Sequence, residues 1–107
     1  MNVAEYASYD ALGLAELVAR KAISPKELAE VARKAVEAAN PAVNAVVELY
    51  PDRIDDLDGS KLGNGPFRGV PFLINDVFGH EAGRRVEFGS RLCRGMLAET
   101  DTHLAEL

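Results

Sequence analysis

At 107 residues, the chain falls below the ~150 residues that serve as a prior for one domain, so a single domain over 1–107 is expected. Twelve Lys and Arg against seventeen Asp and Glu leave a net charge of −5. That is the wrong sign for binding a phosphate backbone, and no nucleic-acid partner is expected. Hydrophobic residues at 48% and charged residues at 27% exclude a disordered tail and a fibrous repeat.

No apolar run approaches the ~20 residues of a membrane span. The opening MNVAEYASYD has neither a basic start nor an apolar core, so it does not read as a signal peptide. No membrane partner and a cytoplasmic location are expected. A single cysteine, Cys93, excludes an internal disulfide and a cysteine-based zinc cluster.

In chain order, the first predicted helix covers roughly 11–21. Leu14, Leu17, Val18 and Ala22 fall at helical spacing, with Asp10 or Ser8 as the cap. Gly13 weakens that segment slightly. The second helix carries the sharper local signal. Ser24-Pro25-Lys26-Glu27 is a capping box with proline at the first helical position. Leu28, Val31, Ala32, Ala35, Val36 and Ala39 then form an apolar stripe. Asn40-Pro41 is expected to stop this helix, because the residue before proline is pushed out of the helical region.

The β-branched run VNAVVELY at 43–50 predicts a strand. The segment 51–65 is the most polar, with a short helical turn expected at 53–57 and turn chemistry at Gly59-Ser60, Gly63-Asn64 and Gly65-Pro66. Asp52, Asp55, Asp56 and Asp58 cluster here, but without the twelve-residue loop of a calcium site, and they read as a solvated face. The continuous apolar run leading into 70–74 predicts a strand buried on both faces. Segment 78–85 is loop-like, and 86–90 is a short extended piece. Asp101 or Thr100 caps a final helix with Leu104 and Leu107, which has barely begun at the last residue. That pattern leads to the expectation of a truncated chain.

Four collinear stretches resemble the amidase signature family. They are DALGLAELVARKAISPKELAEVARKAVEAANPAVNAVV at 10–47, GPFRGVPFLINDVF at 65–78, FGSRLCRG at 88–95 and ETDTHLAEL at 99–107. The resemblance implies a large central sheet flanked by helices and hydrolysis of amide bonds by a Ser–cisSer–Lys triad, without metal or organic cofactor. The expected architecture is therefore α/β, an N-terminal helical pair plus a small mixed sheet, a fragment of the larger amidase signature fold. The Leu28–Ala39 stripe and the 70–74 strand are expected to form its core.

Two departures bear on the chemistry. Asn75 stands where the resemblance places the catalytic lysine, with Asp76 retained beside it. The region that would carry both serines is missing, and Ser90 lies too early to be either. A carboxamide cannot titrate near neutrality, whereas a positioned general base contributes ~10²–10⁴ in rate. No catalytic residue is therefore assigned, and no metal or cofactor is expected.

The same residues carry plainer readings. Asn75-Asp76 closes a strand as a turn pair, with Asp76 orienting the local backbone. His80 and His103 are solvated or capping side chains, and Cys93 is an ordinary thiol beside Arg91 and Arg94. Arg84, Arg85, Arg91 and Arg94 form a charged loop or a dock for an acidic partner.

Three functions compete. The first is an amidase-family relic without catalysis of its own. The second is a small binding or assembly module, either a homo-oligomer or one completed by a separate chain carrying the missing amidase region. The third is a stand-alone enzyme built on Cys93 and a histidine.

Overall fold

The computed structural model describes all residues 1–107. The chain forms two compact units, Met1–Pro71 and Phe72–Leu107.

The first unit is helical. A five-residue helix, α1 (Val3–Ala7), is capped by Asn2, whose Oδ1 accepts from Glu5 N at 2.8 Å. Helix α2 (Ala11–Ala19) starts at Asp10, whose Oδ1 accepts from Gly13 N at 2.7 Å. Of the two capping candidates the sequence offers, Asp10 is the one used. Lys21 then turns the chain with φ +59.

Helix α3 (Pro25–Val43) begins with the expected capping box. Ser24 Oγ accepts from Glu27 N at 3.2 Å, and Ser24 N donates to Glu27 Oε2 at 3.0 Å. The Ser24 hydroxyl adds a 2.8 Å bond to the same oxygen. Two of the helix's orphan amides are thereby satisfied, including the one nearest the entering chain.

The helix does not stop at Asn40-Pro41. Pro41 lies inside it, and the helix runs to Val43. Proline near a helix end deletes a single amide donor, and the loss is offset here by bonds further on. Asn44 caps the helix in the left-handed conformation (φ 49, ψ 41), a region asparagine tolerates. Its N–H donates to Asn40 O at 2.7 Å. The Asn40 side chain grips Val46 twice, donating to its carbonyl at 2.8 Å and accepting from its N–H at 2.9 Å.

The expected sheet is absent. No strand forms at 43–50 or at 70–74, and the architecture is helical rather than α/β. The segment 44–50 carries no regular secondary structure, with its bonds going to the Asn40 side chain instead of a ladder. β-Branched composition measures fitness for a pleated, half-buried surface. It does not supply the second strand, and none lies beside either run.

The core takes in only the start of the expected stripe, Leu28 and Val31, and is otherwise built largely from α2. Its main cluster consists of Leu14, Leu17, Val18, Ile23 and Leu28, with Tyr6 and Val70 packed against it. Leu28 is fully buried, whereas Ala39 at the far end of the stripe is exposed. Burial is thus concentrated on α2 and the first turns of α3.

Helix α4 (Pro51–Asp55) follows, with Pro51 in its first turn. Lys26 Nζ donates to Asp55 O at 2.8 Å, tying α4 back to the start of α3. A 3₁₀ turn at Gly59–Lys61 is capped by Asp58, which accepts from Ser60 N at 2.9 Å and from the Ser60 hydroxyl at 2.7 Å. Arg68 donates to Gly59 O at 2.6 Å, closing the loop. The chain then returns at Gly69 (φ +80), where an added Cβ would lie 3.0 Å from Pro25 Cγ and 3.1 Å from Val18 Cγ1. Glycine here allows both the backbone turn and the close approach to the core.

The second unit is organised by backbone pairing over a short length. Arg85 lies opposite Leu97 in an isolated antiparallel bridge. Val86 N donates to Met96 O at 3.0 Å, Ala98 N to Arg84 O at 2.9 Å, and Gly83 N to Ala98 O at 2.9 Å. Val86 is the buried apolar side chain of this unit, 4% exposed. Ala82 N donates to Asp101 Oδ1 at 2.7 Å, and Thr102 N to His80 O at 2.9 Å. The last helix, α5 (His103–Glu106), is capped at Thr102 rather than at Asp101 or Thr100.

Candidate functional site

Asn75 and Asp76 lie on one turn of the second unit, joined by hydrogen bonds to a second turn at 87–89. Asn75 opens the first. Its Oδ1 accepts from Val77 N at 2.7 Å, and its carbonyl accepts from Gly79 N at 3.2 Å. The side chain imitates a backbone turn, as asparagine does in Asx turns. Gly79 is buried, and an added Cβ would fall 2.6 Å from Ile74 Cγ1. A β-carbon at that position requires the Ile74 side chain to shift.

Asp76 joins the first turn to the second. Its Oδ1 accepts from Glu87 N at 3.1 Å, and its Oδ2 from Gly89 N at 3.4 Å. Between these amides Phe88 has φ +52 and Gly89 has φ +64. The turn brings the N–H groups of Glu87 and Gly89 to one side, a concavity suited to an anion. Here the Asp76 carboxylate fills it. Asp76 thus orients backbone, in line with one of the sequence readings.

Glu87 extends the arrangement. Its Oε2 accepts from Gly95 N at 2.6 Å, and its Oε1 lies 3.8 Å from Arg85 Nη1. Sequence reasoning passes over Glu87 because the amide its side chain holds lies eight positions away. Ser90 serves a local purpose. Its Oγ accepts from Leu92 N at 3.3 Å and caps the 3₁₀ turn Arg91–Cys93.

The histidines are engaged separately. The His80 ring meets the Phe88 ring edge-on at 5.4 Å, with Nδ1 buried and unpartnered. His103 Nδ1 lies 3.7 Å from Glu106 Oε2 on the last helix. Cys93 is a free thiol in its 3₁₀ turn, and no hydrogen bond links it to His80. Arg84 and Arg85 are matched by Glu81 at 3.7 Å and Glu87 at 3.8 Å. Half of the expected basic patch is thus neutralised within the unit. No group of three His, Cys, Asp or Glu side chains converges in the way a metal ion requires.

Comparison with known proteins connects this chain to hydrolases. It is 42% identical over 69 residues to 6-aminohexanoate-cyclic-dimer hydrolase from Pseudomonas sp. (strain NK87), and equally so to the enzyme of that name from Paenarthrobacter ureafaciens. It is 35% identical, over 60% of its length, to an acylamidase from Rhodococcus erythropolis. Over these spans the chain is similar to part of each of these enzymes. The aligned part is 64% of this chain in the first two cases. The chain spans only 13–15% of the length of these curated relatives. No family model matches the chain, and no solved structure matches it. No helix is long and apolar enough to cross a membrane.

Proposed function

We propose that this chain is a segment of the amidase type that does not hydrolyse amides with its own residues. The observation that carries the proposal is the state of Asn75. The resemblance places the catalytic lysine at this position, and the side chain there is a carboxamide whose oxygen is occupied by Val77 N. A hydroxyl nucleophile needs a base to take its proton, and a carboxamide has no basic nitrogen to offer. Asp76 is committed to the amides of Glu87 and Gly89. Ser90 caps a turn without a base beside it. The names of the relatives, a cyclic-dimer hydrolase and an acylamidase, support amide hydrolysis as the reaction to test.

The test uses the full 107-residue protein, an acyl anilide substrate and a serine-directed fluorophosphonate probe. No turnover and no adduct are expected, and Asn75→Lys is expected to remain inactive because no serine is positioned to attack. Turnover by the purified chain, or a covalent adduct on it, overturns the proposal.

A second reading, an assembly module, is favoured by exposed apolar side chains. Phe72, Leu73 and Phe78 are 73%, 67% and 81% exposed. Large apolar surface left in water favours a covering partner, either a second copy or a separate chain carrying the remaining amidase region. Sedimentation at several concentrations tests the first form, with a mass that stays monomeric at all of them excluding it. A cytoplasmic location belongs to the same proposal, since the lone thiol of Cys93 suits a reducing compartment.

A further inference from the structure

The five asparagines of this chain sit in five different chemical situations, and one of them is open to a reaction with its own backbone. Asn2 accepts from Glu5 N, Asn40 is bonded twice to Val46, and Asn75 accepts from Val77 N. Asn44 is locked in a left-handed helix cap. Asn64 is exposed, lies outside regular secondary structure, and its side chain makes no hydrogen bond. It is also followed by glycine, whereas the other four precede Val3, Pro41, Ala45 and Asp76.

We propose that Asn64 is a site of spontaneous deamidation, proceeding through a cyclic imide with Gly65. The Gly65 amide nitrogen loses its proton and attacks Asn64 Cγ. The new N–Cγ bond closes a five-membered ring, and the Cγ–Nδ2 bond breaks with release of ammonia. Water then opens the imide at either carbonyl, leaving aspartate or, with the main chain rerouted through the side chain, isoaspartate.

The structure removes the usual obstacles to this reaction. Gly65 has no β-carbon to shield its nitrogen, and nothing lies within 4 Å of where one would be. No backbone hydrogen bond holds the Gly65 N–H, although the carbonyl of the same residue accepts from Arg68 N at 3.1 Å. Asp58-Gly59 is the comparable acidic pair, and it is guarded. Its carboxylate is held by the Ser60 hydroxyl and amide, which lower its pKa below the ordinary value. An ionised carboxylate is a poor electrophile for the same ring closure.

Aged protein at mildly alkaline pH and body temperature is digested with trypsin, and the peptide spanning 62–68, bounded by cleavage after Lys61 and Arg68, is followed by mass spectrometry. A gain of one mass unit confined to this peptide is expected, together with labelling by an isoaspartyl methyltransferase. Gly65→Ala is expected to slow the gain at least tenfold without disturbing the fold, because the added methyl meets open space and Gly65 is not in the left-handed region. Asn64→Gln abolishes it. An unmodified 62–68 peptide overturns the proposal, as does equal conversion at Asn44 or Asn75, or a Gly65→Ala variant that converts as fast as the parent.

Discussion

The Asp76 carboxylate accepts from the backbone N–H of Glu87 at 3.1 Å, eleven positions along the chain. The same group reaches Gly89 N through its other oxygen. Residue 76 therefore sets the position of residue 75 against the 87–89 turn. Hydrogen bonds to charged groups contribute about 1.5–3 kcal/mol each, and partial exposure places these toward the lower end. Asp76→Ala should release both amides. Hydrogen exchange is expected to accelerate at Glu87 and Gly89 while the amides of α3 stay protected. Unchanged protection at both would disprove the clamp.

The capping box makes a separate prediction. Ser24→Ala removes the acceptor for Glu27 N and the hydroxyl donor to Glu27 Oε2. Loss of such a cap costs about 0.5–2 kcal/mol. Chemical denaturation should show a reduced midpoint for this variant, and Ser24→Asp should recover part of it.

Acid should weaken the first unit through two identified carboxylates. The Ser24 amide, followed by the Ser24 hydroxyl, holds Glu27 below its ordinary value of 4.5. The Ser60 hydroxyl, then the Ser60 amide, holds Asp58 below 3.8. A carboxyl whose folded value is depressed binds its proton more readily when unfolded. Its stabilisation is complete above the unfolded value and declines as pH falls through the folded one. Denaturation midpoints should therefore fall from just above pH 4.5 downward, and the combined Glu27→Gln and Asp58→Asn variant, which carries neither titrating carboxyl, should show a flatter acid limb. An identical limb in that variant would remove both groups as the cause.

Glycine positions separate sharply. Gly79→Ala places a methyl 2.6 Å from Ile74 Cγ1, and Gly69→Ala combines φ +80 with contacts near 3.0 Å. Overpacking costs about 1–3 kcal/mol, so both variants should melt earlier. Gly63→Ala meets nothing within 4 Å and should melt with the parent.

The core prediction is the largest. Leu28 is fully buried, and truncating such a residue costs about 2–5 kcal/mol. In a unit this small, Leu28→Ala should lose cooperative unfolding. Ala39→Ser, on the exposed end of the same stripe, should leave the melting curve unchanged.

Local chemistry is readable where both partners lie within a few residues. Ser24 and Glu27 announce the start of α3, and Asp10 that of α2. Helix α1 carries the same kind of signal, Asn2 followed by Glu5, but its five residues hold too little apolar pattern to stand out. The 43–50 and 70–74 runs have the composition of strands without being strands, because side-chain type speaks to a pleated surface and not to the presence of a neighbour. The Pro41 stop fails because the Asn40 and Asn44 bonds, invisible in the pattern, carry the helix past it. In the candidate site, Asn75 is legible as a turn residue, and its side chain accepts from Val77 N two positions on. The grip of Asp76 on Glu87 and Gly89 is not legible, since it depends on a loop closing over more than ten residues.

That loop has a practical use. The pairing of 83–86 with 96–98 cinches the chain at its neck, so 87–95 forms a lariat tied at the base and stitched inside by Glu87 to Gly95. Cys93 rides on it as the one thiol of the chain. A spin label or fluorophore attached there, with no engineering of the sequence, would report directly on whether the knot is drawn tight or slack.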